Sequence, residues 1–355
     1  MSSKFSHLNT LDSSGMQHHL LHFPEQLKKA YDIGKKATIP DELSFIKNIV
    51  CVGMGGSAIG SEIISNYLWH TLCIPISINR NYTIPSFIDN NSLVYITSYS
   101  GNTEETLAAY DRMSERGAKI ICCASGGTLA EKARADGVPL VLVPGGQPPR
   151  TALGYLAIPL LAIFSKLKFI PNQDEAFNEL IEVMSKLAVI YAPASPQEEN
   201  SAKQLAAQLH GTLPIVYSST EHLTAVGTRW RNQFSENSKT LAFSNQIPEL
   251  CHNEIVGWSD TFAAHINKMQ VVFLRDSDEL PQVHQRIEIV KEIIAKKSKP
   301  PIEVHSRGKS LLARIFSLVY LGDWASYYLA ILNAVNPTPI ENIRILKERL
   351  QMANK

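Results

Sequence analysis

Short apolar runs alternate with helical segments from about residue 46 onward, and this alternation constrains the fold more than any other feature of the chain. In the first half of the chain the apolar runs lie at 49–52, 74–78, 93–97, 119–124 and 139–143. In the second half they lie at 214–218, 271–274 and 302–305. Strands that alternate with helices of about 10 to 15 residues are typical of a parallel sheet with helices on both faces. The pattern therefore predicts an α/β protein with two units of similar plan.

The length of the chain and one break in the pattern indicate the domains. With 355 residues the chain is long enough for two domains. A helix predicted over 174–191 is followed at 193–199 by a polar stretch with two prolines, which marks a boundary. The predicted parts are an N-terminal unit, a helical linker and a C-terminal unit with a terminal helix, over 1–170, 171–200 and 201–355.

Composition restricts the compartment and the partners. A formal net charge of +1 argues against a broad surface for nucleic acid or anionic membranes, although local donors could still bind a small anion. Five scattered cysteines without metal-ligand spacing favour a reduced cytoplasm. The polar N-terminus does not read as a signal peptide, and the most apolar stretch, 152–164, is too short to span a bilayer. We expect a cytoplasmic protein without nucleic-acid or membrane partners, in which 152–164 is a buried core helix.

A glycine-rich loop at 53–58 joins the first predicted strand to the helix after it. Its spacing fits the dinucleotide fingerprint G-x-G-x-x-A, and a helix N-terminus offers N–H donors to an anion. A dinucleotide site calls for an acidic residue at the end of the next strand, but Asn79 and Arg80 stand there. NAD is therefore disfavoured, and NADP is only just compatible with the pattern. A tight turn without any ligand is the other interpretation of this loop.

A second loop, at 98–106, reads Ser-Tyr-Ser-Gly-Asn-Thr-Glu-Glu-Thr and also lies between a strand and a helix. The hydroxyls of Ser98, Ser100 and Thr103, with the free N–H groups of the helix, form a cradle suited to a dianionic phosphate. An ordinary N-cap needs only one hydroxyl, so the other two favour a ligand. The lysine of the G-x-x-x-x-G-K-[ST] pattern is missing, which argues against a nucleoside triphosphate.

The stretch 229–258 carries groups that can move protons. Its helical pattern holds to Phe234 and stops past Glu236, and a polar connection then leads to Glu249 and His252. Loops held by a rigid scaffold often carry catalytic groups. Taken alone, however, a loop with Glu and His is most often only solvated.

The ordered motifs resemble a known family. Gly-Gly-Ser at 55–57 followed by the serine-rich loop is similar to the sugar isomerase (SIS) domain, whose serine-rich loop binds a sugar phosphate. Further motifs resemble the bifunctional phosphoglucose/phosphomannose isomerases of archaea and some bacteria, and they lie at 147–150, 229–239, 248–249 and 252–254. The likeness covers about residues 45–350. Ser238, where a small apolar residue is expected, and the first forty residues depart from it.

The resemblance implies a fold, an activity and an assembly. It implies two SIS-type subdomains, each a three-layer α/β/α unit, and a homodimer with shared active sites. It also implies that glucose 6-phosphate and mannose 6-phosphate are interconverted with fructose 6-phosphate through an enediolate, in glycolysis or gluconeogenesis. No cofactor is expected. The chain has no His-x-His pair, which argues against a metal-dependent phosphomannose isomerase.

The resemblance also implies roles for single residues. Glu236 matches the proton-transferring base, and His252 matches a ring-opening histidine that the family takes from the neighbouring subunit. Glu249 lies in the same stretch and is therefore the alternative base, although it could also be only a local hydrogen-bond anchor. Arg150 matches the arginine that stabilises the enediolate oxygens. Lys347 matches a C-terminal lysine that reaches the site, although an ordinary surface lysine would look the same. The expected substrate-binding residues are Gly56, Ser57, Ser98, Ser100, Thr103 and Thr338.

The sequence leaves open the role of Thr338 and two alternative functions of the protein. Thr338 could leave room for both epimers near C2 of the sugar, or it could simply cap the last helix. The protein could be a non-catalytic sugar-phosphate-binding regulator, because SIS domains also serve as regulatory modules, although binding alone needs neither Glu236 nor His252. An NADP-linked oxidoreductase built on the loop 53–58 would leave the serine-rich loop unexplained.

Overall fold

Two parallel sheets form the framework of the protein. The computed structural model describes residues 5, 8–40, 43 and 45–353, so the outer ends of the predicted domains, 1–4 and 354–355, lie outside the described residues. The strands of the first sheet are β1 Asn48–Val52, β2 Ile76–Asn79, β3 Ser92–Ser98, β4 Lys119–Ala124 and β5 Leu140–Leu142. Those of the second sheet are β6 Leu213–Ser218, β7 Phe243–Gln246, β8 Met269–Arg275 and β9 Ile302–His305.

Helices connect and cover these strands. Those of the first half are α1 Leu8–Leu11, α2 Met16–Leu21, α3 Phe23–Lys36, α4 Gly55–Tyr67, α5 Glu104–Glu115, α6 Gly127–Ala135 and α7 Leu153–Lys166. Those of the second half are α8 Asp174–Tyr191, α9 Ser201–Leu209, α10 Thr224–Ser238, α11 Ala263–Ile266, α12 Pro281–Ala295, α13 Leu311–Leu332 and α14 Glu341–Ala353. The predicted α/β class is confirmed. The predicted domain limits at 170 and 200 stay a prediction.

The strand order places the glycine and serine loops side by side. The first sheet runs β2-β1-β3-β4-β5 and every neighbouring pair is parallel. All seven residues of β3 are buried, as expected for a parallel strand covered on both faces. The chain leaves β1 toward one edge and returns on its other side as β3, so the loops after these strands flank the point where the order reverses. Ligands bind at such points in open α/β sheets.

The second sheet repeats this plan with the order β7-β6-β8-β9, again with parallel pairs. Its first strand, β6, lies between β7 and β8, as β1 lies between β2 and β3 in the first sheet. The helix α10 leaves the loop after β6 and ends at Ser238. The similarity of plan that the sequence predicts is therefore present in the strand order.

Two buried helices organise the core. The predicted core helix at 152–164 is α7, whose residues are buried from Leu153 to Phe164 with Pro159 inside. Among the described residues α13 alone is long and apolar enough to cross a membrane, and its side chains are packed within the protein. Burial on nearly all sides is typical of a helix in the core of a large domain.

The packing of α10 on α13 is close. A Cβ atom added at Gly322 of α13 would lie 2.2 Å from Trp230 Nε1. The same indole nitrogen donates a hydrogen bond to the carbonyl of Leu318 at 2.9 Å. These contacts fix the position of α10 on α13. They therefore also fix the position of the side chains at the C-terminal end of α10.

Two local predictions for the stretch 229–258 are wrong. The helix α10 continues to Ser238, so Glu236 lies in its last turn and not on a loop. The helical pattern was hidden because the inward side chains of Gln233 and Asn237 are polar yet buried and hydrogen-bonded. The polar connection also contains the edge strand β7, which was not predicted. Its Phe243 is 55% exposed and its other residues are polar, so the strand lacks the alternating apolar pattern that would indicate it.

Candidate active site

The glycine loop and the serine-rich loop contact each other at the carboxyl ends of β1 and β3. Ser57, in the first turn of α4, accepts a hydrogen bond on Oγ from the backbone N–H of Tyr99 at 3.1 Å. A Cβ atom added at Gly53 would lie 2.9 Å from the carbonyl oxygen of Thr97. Gly53 therefore permits the close approach that brings the two loops together.

The serine-rich loop leaves its helix uncapped. Ser98 donates from Oγ to Thr103 Oγ1 at 3.1 Å, and Ser100 Oγ accepts from the N–H of Asn102 at 3.3 Å. Thr103 stands at the N-cap of α5 but makes no capping hydrogen bond with its side chain. The hydroxyls thus do not serve as an ordinary N-cap, and the first N–H groups of α5 remain available to an anion.

A neighbouring loop holds the serine-rich loop in place. Gly101 has a φ of 72°, and a Cβ atom there would lie 1.9 Å from the carbonyl oxygen of Gly126. Asn102 Oδ1 accepts hydrogen bonds from the backbone N–H of Thr128 at 3.0 Å and from its hydroxyl at 3.1 Å. Only glycine fits at position 101, where both the backbone conformation and the space exclude a side chain.

Arg150 lies buried where the two halves of the chain meet. Its Nε donates to Asn237 Oδ1 at 2.6 Å, and its Nη2 donates to the carbonyls of Pro337 and Thr338 at 2.8 and 2.7 Å. These bonds use three of the five N–H groups of a guanidinium. The remaining two, on Nη1, face Glu236, whose Oε2 lies 3.5 Å away. The protein thus holds a cation rigidly beside a carboxylate.

The segment that carries Arg150 also contacts the glycine loop. A Cβ atom added at Gly56 would lie 3.2 Å from the carbonyl oxygen of Pro149. Gly56 therefore allows the start of α4 to approach the segment that carries Arg150. Glu236 is 29% exposed, so it reaches solvent while Arg150 is buried behind it.

Comparison with known proteins identifies the family. Residues 198–350 match the profile of the bacterial phospho-glucose isomerase C-terminal SIS domain. A bifunctional phosphoglucose/phosphomannose isomerase of Caldicellulosiruptor bescii is 41% identical over 327 residues, which is 92% of this chain and 96% of that protein. The chain belongs to the bifunctional phosphoglucose/phosphomannose isomerase family.

Two further comparisons agree with this family assignment. The Aquifex aeolicus protein of the same name is 35% identical and covers 88% of this chain and 93% of its own length. A hypothetical protein from Thermus thermophilus superimposes with a TM-score of 0.74 at 16% identity and covers 96% of this chain and 90% of its own. The solved structure supports the fold alone, and the predicted arrangement of two SIS-type units is confirmed.

A buried network behind Arg150 was not predicted. Arg229 donates from Nη2 to the carbonyl of Arg150 at 2.9 Å and pairs with Asp323 through Nε at 2.9 Å and Nη2 at 2.7 Å. Burial raises the pKa of Asp323, and the charge and hydrogen bonds of Arg229 oppose that rise. Ser238 departs from the family pattern and donates from its buried Oγ to the carbonyl of Ser326 at 2.7 Å. Residue spacing gives no sign of such pairs, because their members lie on different helices.

In the described part of the chain, no hydrogen bond or ion pair joins three of the predicted residues to Arg150 or Glu236. Glu249 accepts a hydrogen bond from Asn253 Nδ2 at 2.6 Å, which is the local anchoring role considered for it. His252 is exposed, and in the described part of the chain no hydrogen bond or ion pair joins it to Glu236 or Arg150. Lys347 is exposed on α14. The family origin of His252 in a neighbouring subunit stays a prediction.

Thr338 contacts Arg150 through its carbonyl oxygen, and its side chain is unpartnered. Its Oγ1 is buried and, among the described residues, has no hydrogen-bond partner. The helix α14 begins only at Glu341, and Thr338 Oγ1 forms none of the bonds that would cap it. The capping interpretation is therefore wrong, and the buried hydroxyl is an unsatisfied polar group on the segment that contacts Arg150.

Lys239 is a charged group of this site to which sequence reasoning gave no role. It ends α10 in a left-handed conformation, with φ 56°, and its Nζ donates to the carbonyls of Glu236 and Pro337. With Glu236 it lines an open cavity of about 630 Å³ between α10 and the start of α14. A lysine at a helix C-terminus is so common that its position alone carries no signal.

Lys239 gives a pH-dependent prediction. Burial and the nearby Arg150 lower the pKa of Lys239 to about 8, and Glu236 opposes this shift. Lys239 is therefore charged below pH 8 and loses its charge as pH rises. We expect kcat/KM to fall as pH rises through about 8, because an anionic substrate loses a nearby cation. Arginine stays charged throughout this range, so Lys239→Arg should abolish the fall, whereas Lys36→Arg on α3 should keep it. An identical alkaline limb in Lys239→Arg would contradict the assignment.

Ser100 gives a prediction about binding. A hydrogen bond to a charged group contributes about 1.5–3 kcal/mol, so Ser100→Ala should raise KM for fructose 6-phosphate roughly 10- to 150-fold with little change in kcat. Ser114→Ala, an exposed serine at the other end of α5, is the matched control and should leave KM unchanged. Steady-state kinetics on both variants measures the effect. A KM within twofold of the wild type in Ser100→Ala would exclude this hydroxyl from phosphate binding.

Proposed function

We propose that the protein interconverts glucose 6-phosphate and mannose 6-phosphate with fructose 6-phosphate. The observation that carries the proposal is the ion pair of Arg150 and Glu236 beside an uncapped, hydroxyl-rich loop. A regulator that only binds sugar phosphates would need the loop but not a carboxylate held against a fixed cation. The similar proteins of Caldicellulosiruptor bescii and Aquifex aeolicus are both named bifunctional phosphoglucose/phosphomannose isomerases, which is the same pair of activities.

Phosphate binding is the first step of the mechanism. Ser57, Ser98, Ser100 and Thr103 would hold the phosphate with the N–H groups at the starts of α4 and α5. The phosphate then fixes the open-chain sugar so that its first carbons reach Glu236.

Proton transfer is the second step. The Glu236 carboxylate takes the proton from C2 of the aldose, and the electrons of the broken C–H bond form the C1–C2 double bond while negative charge develops on O1. The two N–H groups on Nη1 of Arg150, which face Glu236, would stabilise that charge. A proton moves between the two oxygens. Glu236, which is 29% exposed, exchanges the proton it holds with solvent and then donates a proton to C1, which gives the ketose. Arg150 thus supplies the positive charge, so no metal is required.

Dual specificity follows from the same intermediate. Glucose 6-phosphate and mannose 6-phosphate differ only at C2, and loss of the C2 proton makes that carbon planar. Both epimers therefore lead to one enediolate, provided that the base reaches C2 from either face. Our candidate for a small side chain that leaves space around C2 of the sugar is Thr338. Its buried hydroxyl lies in the segment that contacts Arg150.

The test is a coupled assay on each purified aldose, with a chelator present. We expect both to yield fructose 6-phosphate, with kcat/KM values within roughly tenfold, or about 1.4 kcal/mol. Binding of fructose 6-phosphate without turnover at any pH from about 5 to 9 would mean a regulatory protein. Turnover of glucose 6-phosphate alone would reject dual specificity.

We also propose a cytoplasmic homodimer, acting in glycolysis or gluconeogenesis, in which His252 opens the sugar ring in the partner's site. His252 is exposed, and among the described residues no hydrogen bond or ion pair joins it to Glu236, which supports this. The α14 helix also exposes Ile343, Leu346 and Leu350, which share one face at i, i+3 and i+7 that a second copy could cover.

Subunit mixing tests the shared site. Glu236→Gln and His252→Ala proteins, each inactive, should regain part of the activity after subunit exchange, since a hybrid dimer contains one site with both groups. Exchange is confirmed independently by differently tagged subunits. No activity in confirmed hybrids would place both groups in one subunit.

A further inference from the structure

A second cluster of ionisable side chains lies far from the candidate active site. His70 follows the C-terminal end of α4, and Glu221 and His222 form the short turn before α10. The active-site residues Ser57 and Glu236 lie at the opposite ends of these two helices. At 1.5 Å per residue, each helix separates the cluster from its active-site residue by roughly 15–18 Å. The cluster is therefore a separate feature of the molecule.

The three side chains converge on one point. His70 Nε2 lies 2.9 Å from Glu221 Oε1, and His222 Nε2 lies 3.6 Å from the same oxygen. The two imidazole rings are 5.1 Å apart at an angle of 73°, and the three ligand atoms all lie within 4.8 Å of one another. Metal–ligand distances of about 2.0–2.2 Å place neighbouring ligands of a tetrahedral ion roughly 3.4 Å apart. Only a small movement of the exposed His70 side chain would complete that geometry.

His222 is oriented as a metal ligand would be. Its Nδ1 lies 2.9 Å from the carbonyl oxygen of Asn66, which can only accept, so Nδ1 carries the proton. The lone pair of Nε2 is consequently directed to the cluster. A backbone carbonyl on the distal ring nitrogen is the usual outer partner of a ligating histidine. The His222 side chain is only 12% exposed, so this orientation is held by packing.

Asn66 also connects the cluster to the helices. Its side-chain oxygen accepts the N–H of Ala225, in the first turn of α10, at 3.0 Å. One residue at the end of α4 therefore orients His222 and binds the start of α10. A simple surface ion pair between His70 and Glu221 would need neither the second imidazole nor its fixed tautomer.

We propose that His70, Glu221 and His222 bind a divalent transition metal of the zinc type, with water completing the coordination. Two imidazoles and one carboxylate suit zinc better than magnesium or calcium, which prefer oxygen ligands alone. The bound ion would tie the end of α4, in the first half of the chain, to the start of α10, in the second. Its role would be structural, because it lies away from the reacting sugar.

Calorimetric titration of the full-length protein with zinc chloride, after treatment with chelator and its removal, tests the site. We expect one zinc site and a higher unfolding temperature with zinc. His70→Ala and Glu221→Gln should each weaken zinc binding at least 10-fold. Loss of a residue that only hydrogen-bonds to a metal ligand already weakens binding by about 10- to 100-fold, and these two residues are direct ligands. Magnesium chloride should give no such binding. Because neither residue belongs to the isomerase site, both variants should keep wild-type turnover without zinc.

Two control variants address the other groups that could bind zinc. His18, with His19 and His22, forms a separate imidazole group, and Cys73 is an exposed thiol three positions after His70. His18→Ala and Cys73→Ser should leave the zinc affinity unchanged. Binding that survives His70→Ala, or that is lost in either control, would overturn the proposal. Failure of zinc to bind the wild type would also overturn it, whatever the isomerase assay shows.

Discussion

Replacing Glu236 with Gln is expected to lower kcat by at least about 100-fold with little change in KM. Positioned proton transfer typically contributes about 100- to 10,000-fold, and glutamine keeps the shape of the side chain without its basicity. Glu236 lies in the last turn of α10 and is partly exposed, so the substitution should not disturb folding. Initial rates with fructose 6-phosphate measure the effect.

Glu249→Gln is the matched control for this prediction. The Glu249 carboxylate accepts a local hydrogen bond from Asn253, so its loss should leave most of the activity. The assignment would fail if Glu236→Gln kept more than a tenth of the wild-type kcat while Glu249→Gln lost it. The role of base would then move to Glu249.

Replacing Arg150 with Lys is expected to lower kcat by about 100- to 1,000-fold, the range for removal of one preorganised oxyanion donor. Lysine keeps the charge but cannot reproduce the planar set of donors that reaches Asn237, Pro337 and Thr338 while it faces Glu236. Buried acceptors left without a partner should also lower the free energy of unfolding by about 1–3 kcal/mol. Kinetics and thermal unfolding are measured on the same preparations.

A second variant separates loss of catalysis from loss of folding. Arg229→Lys should destabilise the protein through the buried Asp323, but it leaves the side chain of Arg150 in place. We therefore expect Arg229→Lys to retain more kcat than Arg150→Lys at temperatures where both are folded. Equal kcat in wild-type and folded Arg150→Lys protein would contradict the role of Arg150.

The sequence predicts the framework well because strand and helix periods are local signals. The runs at 49–52 and 93–97 lie within β1 and β3, and a helix predicted over 174–191 is α8. Prediction failed where burial is satisfied by polar side chains, as at the end of α10, or where an edge strand is polar, as in β7. The helix α9 was also missed, because the prolines before it indicated only a boundary.

The site was harder to predict than the fold. The ordered motifs identified candidate site residues one by one, but they did not show which of them contact each other. Arg150 contacts Asn237 and Thr338, which lie 87 and 188 positions away in the chain. Only the three-dimensional packing of α10 against α13 brings such groups together. For the same reason the roles of Arg229 and Lys239 became visible only in the structure.

Solvent deuterium incorporation tests the central claim, that Glu236 transfers a proton through an enediolate. Fructose 6-phosphate is incubated in deuterium oxide, and the aldoses formed are separated and analysed at C2. We predict deuterium at C2 of both glucose 6-phosphate and mannose 6-phosphate, and loss of this labelling in Glu236→Gln. Unlabelled aldoses formed at the normal rate would indicate hydrogen transfer without solvent exchange, and labelling that persists at the wild-type rate in Glu236→Gln would contradict the account.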